Sequence, residues 1–527
     1  MRVERVLNGQ VVEFTEEHDI IDNILEELQD RFSGAEDAPI SNCSITDKLG
    51  DLGFTDLGLK IIAGEFDEVP KDMKTLTVCL LQAIGSIGSK HMNDNLDTSM
   101  TESRFSGTWG RARERTSSSM SGLHYGHYIA LAKSKVLSKG MAKKLNLHSK
   151  WGSPPDRWLN VLMVMLEKKA GVALIPKLRA ILLKEADGNM HDGHVFGGIA
   201  LNHARDNGLI PEEQLAEKEK TAEDGVWAKV IKADYARLRR EALGIVAADA
   251  ANCYDMVNHI ILAMLLRALG IPFGPIVCML LTIRHMKYYL RTGFGESKKY
   301  MGSDSSTRRR HGLNQGNRAA PPCWTITSSL LVAIQRARGH MATVTTPISN
   351  LVSAIMGFLF VDDTDLYTLA KDIRTNEVLV QRAQAGLDDW GRHLMDTGGG
   401  CKAEKSFGHL LNYGFDAEGQ WRCESIVDGY TLSVPTHNGP EEIKLYAAHE
   451  GKETLGVITA PDGNSRGHFE KVEDRIKTWI ARIKNGRLPA SLNWISYSYQ
   501  LWTGIRYGIG ALPADSEEAT GLLDNTN

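Results

Sequence analysis

Asp362 and Asp363 stand between two apolar runs, residues 358–361 and 366–369, in the stretch FLFVDDTDLYTL. That pattern predicts two buried strands joined by a tight acidic turn. Placing neighbouring carboxylates beside buried strands costs several kcal/mol unless a metal or another cation compensates. The hairpin tip is therefore a candidate metal site. A further carboxylate comes from GIVAADAANCYD, where residues 245–247 predict a buried strand followed by Asp249, Tyr254 and Asp255. The helix HIILAMLLRALG comes next. A strand that ends in Asp and turns into a helix aims its carboxylate at the end of the sheet. Beside the Asp362 hairpin it would place two or three acids around one point. Clustered hard oxygen ligands suit Mg²⁺, which takes one or two carboxylates plus substrate phosphates. Two such ions about 3.5–4 Å apart can hold the attacking and leaving oxygens of an in-line phosphoryl transfer. Taken singly, Asp249 reads equally well as a turn or helix cap, and Asp362-Asp363 as an ordinary hairpin turn.

A third element lies between them. GLNQGNRAAPPCWTITSSLLVAIQRA begins with a polar loop, Gln315-Gly316-Asn317, and passes through Pro321-Pro322 into a long predicted helix. Glycine lets backbone approach a ligand closely, and proline is tolerated where a helix starts. In chain order the set is D-x4-Y-D, then Q-G-x4-P, then F-V-D-D, and it resembles motifs A, B and C of reverse transcriptases. Further segments are similar to that family, best to its non-LTR type. IPKLRAILL at 175–183 resembles a fingers segment, TSSSMSGLHYGHY at 116–128 the opening fingers motif, and LIPEEQ at 209–214 a further segment of the group. TGGGCKAEKS at 397–406 resembles motif D and TLGV at 454–457 motif E, the primer grip. The family usually has Pro where Ala180 stands, Ser where Ala320 stands, and a Gly- and Arg-bearing stretch where LAEKEKTAED follows Gln214. None of these departures touches the acids.

The resemblance implies an α+β chain with a right-hand polymerase fold: fingers, a palm with an antiparallel sheet, and a helical thumb. The expected division is an acidic helical N-terminal region at 1–100, fingers at 101–243, palm with part of the fingers at 244–462, and thumb with a polar tail at 463–527. The implied function is RNA-directed DNA polymerisation for a non-LTR-like retroelement, with RNA template, DNA primer and dNTPs as partners and Mg²⁺, or Mn²⁺ in its place, as cofactor. Asp249 and Asp362 would hold the metals, with Asp363 a supporting catalytic acid. Lys177 and Arg179 would clamp the triphosphate. Tyr254 would lie under the sugar and exclude a 2′-hydroxyl. Gln315 and Gly316 would line the template and nucleotide pocket, and Lys405 would protonate the leaving pyrophosphate. A nucleic-acid-binding relative that lost polymerisation is the first alternative, and an untemplated palm-type nucleotidyltransferase the second.

The elements expected to carry these residues follow from composition and periodicity. At 527 residues, 42% hydrophobic and 24% charged, the chain has the make-up of a multidomain globular protein. No apolar run reaches the ~18 residues a membrane span needs, and MRVERVLNGQVVEF lacks a signal-peptide core. Seven scattered cysteines without C-x-x-C predict reduced thiols in an intracellular protein, nuclear or cytoplasmic. Residues 1–100 hold 20 acids against 8 Lys and Arg, a net of −12, leaving +8 for the rest. A mildly basic body suits a polyanion. Ile20, Ile21, Ile24, Leu25 and Leu28 keep helical spacing. Residues 92–122 read as a loop, 127–240 as mostly helical with DRWLNVLMVMLEKKAG as one helix, and 242–460 as α+β. After 465 an apolar stripe through Phe469, Val472, Ile476, Trp479, Ile480 and Ile483 predicts a basic helix, and a second, aromatic one follows Pro489. The polar tail suggests a fragment of a longer product. His124-x-x-His127 and His191-x-x-His194 lack cysteine partners and read as ordinary histidines. GFGESKK at 293–299 reads as a hairpin turn.

Overall fold

The structure of the chain, a computed structural model, describes residues 2–71, 73, 75–116, 119–251, 253–302, 308–346, 348–369 and 375–512. Ser117 and Ser118 of the opening fingers segment and the tail at 513–527 lie outside the described residues. Helix makes up 48% and strand 20% of the chain, in several sheets, a mixed content compatible with the α+β expectation. The strands used below are β1 (Val3–Leu7), β2 (Gln10–Phe14), β3 (Asn160–Glu167), β4 (Leu178–Leu183), β5 (Leu243–Asp249), β6 (Lys287–Thr292), β7 (Gly295–Met301), β8 (Ala342–Thr345), β9 (Val352–Ile355), β10 (Gly357–Phe360), β11 (Asp363–Leu369), β12 (Phe407–Phe415), β13 (Trp421–Ser425), β14 (Leu432–Thr436) and β15 (Gly439–Leu445). The chain divides into two compact units. The first takes Met1–Pro211, Asn252–Ile334 and Arg392–Gly400; the second takes Glu212–Ala251, Gln335–Gly391 and Cys401–Asn527.

The first unit is built on a sheet of order β4-β3-β6-β7. The helix Glu17–Ser33 lays Ile20, Ile21, Ile24, Leu25, Leu28 and Phe32 into the same core as Val161 and Met163 of β3 and Tyr288 and Leu290 of β6. The apolar stripe read at helical spacing is thus the lid of a sheet. Three expectations need correction. The N-terminal region opens with a β1–β2 hairpin rather than a helix. Residues 92–122 contain the helix Glu102–Gly110, which starts because the Thr101 side chain accepts from the Arg104 N–H, and which buries Phe105 and Trp109. DRWLNVLMVMLEKKAG, expected as a helix, is a short 3₁₀ turn at Asp156–Leu159 running into β3. Val161, Leu162 and Met163 are consecutive and fully buried because β3 is a central strand, paired with both β4 and β6. A continuous apolar run of that length fits a two-sided strand as well as a helix, and periodicity alone does not separate them.

The second unit contains a sheet of order β10-β11-β5-β12-β15-β14, with β13 added on β12. The pairs β10/β11, β11/β5 and β5/β12 are antiparallel. Strands β11 and β5 lie between β10 and β12, at the centre of the antiparallel part of the sheet. The helix Ala222–Arg239 packs Ala233 and Ala236 on Leu243, Ile245 and Leu411 of that sheet. Between that helix and the sheet runs a buried ion pair. Lys229 Nζ lies 3.1 Å from an Asp365 carboxylate oxygen, with the two side chains 4% and 3% exposed. Lys229 also donates to Thr454 Oγ1 at 2.8 Å and lies over the Phe407 ring. The C-terminal helices form as read. Arg466–Gly486 buries Phe469, Val472 and Ile476 against Leu501 and Ile505 of the segment that follows Pro489. No helix among the described residues is long and apolar enough to cross a membrane.

Removing one member of a buried ion pair strands the other's charge, which costs about 3–5 kcal/mol, whereas replacing both by apolar groups can be neutral. We expect Lys229→Met to lower the stability of the second unit by about that amount in urea unfolding, and Lys229→Met/Asp365→Leu to recover most of it. A single variant with the wild-type midpoint would show that the pair carries no stability.

Candidate active site

The acidic turn is a two-residue hairpin loop. Phe360 pairs with Asp363, so Val361 and Asp362 make the connection. Val361 has φ 61. A β-branched residue in the left-handed region costs roughly 1–2 kcal/mol, a position where Gly or Asn would be unstrained. Such strain persists only where surrounding structure over-determines it, and it concentrates at functional sites. The clamp is visible. Ala250 N donates to Asp362 O at 3.1 Å, and Leu359 is bonded on both backbone atoms to the segment Glu213–Leu215, each at 2.8 Å. Glu213 itself is anchored by Arg336 through bonds of 3.2 and 2.6 Å and accepts from Met356 N.

Sheet register brings the acids together. Asp363, the first residue of β11, is the direct partner of Asp249, the last residue of β5, and Asp362 precedes it in the turn. The turn 401–406 then wraps Asp249. Ala250 bridges Cys401, Lys402 N donates to Asp249 O at 3.0 Å, and Asp249 N donates to Ser406 Oγ at 3.2 Å. Lys405 Nζ lies 3.2 Å from Asp249 Oδ2. Lys405, expected to protonate the leaving pyrophosphate, is thus paired with one of the acids.

Three carboxylates at one sheet end repel one another. Asp363 reaches solvent, but protein hems in its carboxyl, and this desolvation together with Asp362, Asp249 and Asp365 pushes its pKa up to about 6 against the pull of Lys405. Burial also raises Asp249, with Asp362 adding to the shift and Lys405 opposing it. The donor set is all oxygen, the chemistry Mg²⁺ takes, and its charge exceeds what one lysine offsets, but one oxygen from each of the three carboxylates does not come within 4.8 Å of the other two.

The remaining expected residues belong to the first unit. Lys177, in a 3₁₀ turn, and Arg179, on β4, are exposed. Gln315 O accepts from Leu182 N of the same strand at 2.8 Å. Gly316 has φ 105, and a Cβ there would come within 2.3 Å of Leu182 O, so close approach demands the glycine. Asn189 Nδ2 donates to Gly316 O. The loop after Gln315-Gly316 enters the helix Ala320–Ala337, as the sequence predicts. Tyr254 is half-buried, and its carbonyl accepts from Leu313 N at 2.6 Å. Among the first-unit residues, the strand carrying Arg179 and the Gln315-Gly316 loop are joined. Asp249, Asp362, Asp363 and Lys405 are joined in the second.

Residue spacing alone did not single out Ser406, Glu213, Arg336 or Lys229. Ser406 and Glu213 lie inside segments that the family resemblance covers, and their types would have flagged them. Arg336 and Lys229 sit on ordinary amphipathic helices and carry no such signal. No protein-family model matches the chain, and no curated protein matches it significantly.

A carboxyl whose folded pKa lies above its unfolded value near 4 binds more protons folded than unfolded between those pH values. Asp363 therefore costs stability as pH rises from about 4 to about 6. In a chelating buffer we expect Asp363→Asn to be more stable than the wild type at pH 7, with the difference gone by about pH 4. Thermal unfolding across that range measures it, and a difference independent of pH would contradict the electrostatic origin.

Proposed function

We propose that the chain is an RNA-directed DNA polymerase of a non-LTR-like retroelement. It would transfer a nucleotide from a dNTP to the 3′-hydroxyl of a DNA primer on an RNA template. The observation that carries the reading is the sheet register that sets Asp249 opposite Asp363 beside the strained Val361-Asp362 turn.

Other features support it. Acids at the ends of two adjacent central strands of an antiparallel sheet are what a right-hand polymerase palm requires of this unit. The TLGV segment is a hairpin in which Thr454 pairs with Val457 and the turn residues Leu455 and Gly456 have φ 50 and 88, a geometry suited to a primer grip. The helical segment after Pro489 exposes Trp494, Tyr499 and Trp502, and basic side chains occupy the preceding helix. Aromatic faces beside basic side chains suit single-strand and backbone contacts of a thumb.

Asp249 and Asp362 would hold Mg²⁺, or Mn²⁺ in its place, with Asp363 in support; bound there, the metal supplies Lewis-acid stabilisation of the phosphoryl charge. The protein's own groups do the rest. Lys177 and Arg179 take the triphosphate charge. Tyr254 excludes a 2′-hydroxyl, and Gln315 and Gly316 shape the template and nucleotide pocket. Lys405, 3.2 Å from Asp249, delivers a proton to the departing pyrophosphate. Where the family usually has Pro, Ala180 pairs with Met165 and can supply a backbone N–H to the β3–β4 ladder.

Primer extension on poly(rA) with oligo(dT) and Mg²⁺ or Mn²⁺ tests this. We expect dTTP incorporation by the wild type, lost at least about 100-fold in Asp362→Asn, and ribonucleotide acceptance in Tyr254→Ala. Folded protein without incorporation but with salt-sensitive RNA binding would replace the enzyme by a binding relative. Incorporation without template would point to an untemplated nucleotidyltransferase.

A further inference from the structure

A second chemistry-bearing cluster lies in the first unit, on residues that the proposed polymerase reading does not use. His91 ends the helix Thr75–His91, Asp94 lies in the turn after it, and His203 lies on the helix Leu201–Asp206. Asp94 Oδ2 lies 3.1 Å from His91 Nδ1 and 3.2 Å from His203 Nε2. The two imidazoles stand nearly perpendicular, 87° apart with ring centres 5.4 Å apart. Among the described residues it is the group of His, Cys, Asp or Glu side chains whose ligand atoms lie close enough together to share an ion.

We propose that His91, Asp94 and His203 form a binding site for a divalent transition-metal ion, Zn²⁺ foremost. The donor chemistry is two imidazole nitrogens and one carboxylate oxygen, a set that zinc takes with a water in the fourth position. Bonds of about 2.0–2.1 Å in a tetrahedron put neighbouring ligand atoms about 3.3 Å apart, close to the two N···O separations here. Imidazole favours Zn²⁺ and its neighbours in the transition series over Mg²⁺, so this site is chemically distinct from the all-carboxylate cluster. The side chains of His91 and His203 are 15% and 16% exposed and that of Asp94 37%, so an ion can enter.

The backbone around the ligands is fixed before any ion arrives. Asp94 N donates to His91 O and Leu96 N to Gly270 O, each at 3.0 Å, and Arg267 Nη1 donates to Met92 O. Gly270 has φ 84, and a Cβ there would meet His91 O at 2.7 Å and Asp94 Cβ at 3.2 Å, so the loop sits tight against its neighbour. The helix carrying His203 follows directly on a π-helical stretch, Gly193–Ala200. Such stretches are uncommon and recur at functional sites. A bound ion would tie the helix Leu201–Asp206 to the end of the helix Thr75–His91.

The test is Zn²⁺ titration of the chelator-treated full chain in excess Mg²⁺, read by competition with a chromogenic chelator. Co²⁺ substitution, read by visible absorption, reports the coordination geometry. We expect one equivalent of Zn²⁺ at micromolar affinity or tighter, four-coordinate Co²⁺ bands, and a raised melting temperature with Zn²⁺. Near-isosteric Asp94→Asn and His203→Gln should each weaken binding at least about 100-fold with unchanged circular dichroism, while Asp362→Asn leaves it intact. No stoichiometric Zn²⁺ binding, binding that survives both substitutions, or binding lost in Asp362→Asn would overturn the site.

Discussion

Mutual repulsion among Asp249, Asp362 and Asp363 is the constraint that the second unit is organised around. An antiparallel pair of central strands ends one carboxylate and begins another at the same sheet end, and a two-residue turn adds the third. Left to relax, the charges would separate. They are held by backbone: Ala250 to Asp362, Leu359 to the Glu213–Leu215 segment, and Lys402 and Ser406 to Asp249. Val361 records the cost as a left-handed φ in a β-branched residue. Strain of this kind is what the proposed cation site would require of its turn.

Charge compensation extends inward along β11. Asp363 and Asp365 share one face of the strand, two residues apart. The outer acid is left to solvent and Lys405's neighbourhood, while the inner one is closed off with Lys229. Lys229 comes from the helix that covers the sheet, and its second bond goes to Thr454 in the hairpin proposed as primer grip. One buried cation thus links the covering helix, the strand below the acids and that hairpin, all within the second unit.

The legibility of these features in sequence followed chemical rarity. Adjacent acids after an apolar run are uncommon enough that the Asp362 hairpin, β5 and its terminal Asp249 could be read directly. The Gln315-Gly316 loop and its following helix were likewise marked by Gly and Pro. Strand β3 was not legible, because Val161, Leu162 and Met163 bury both faces and erase the alternation that identifies a strand. The β1–β2 hairpin was overlooked beside the stronger helical stripe that follows it. The ion pairs of Lys229 and Arg336 join residues far apart in the chain. So does the His91, Asp94 and His203 cluster, whose third member lies more than a hundred residues on from the other two. Nothing in local spacing announces such partnerships.

The central claim is that Asp249 and the 361–363 turn form one wall of a single divalent-cation site. Fe²⁺ substituted for Mg²⁺ and activated by ascorbate and peroxide cleaves backbone next to where it is bound. The account predicts cuts near residue 249 and near 361–363 together, both suppressed by excess Mg²⁺ and both lost in Asp362→Asn. Cuts at only one of the two segments, or cuts that persist in that variant, would contradict it.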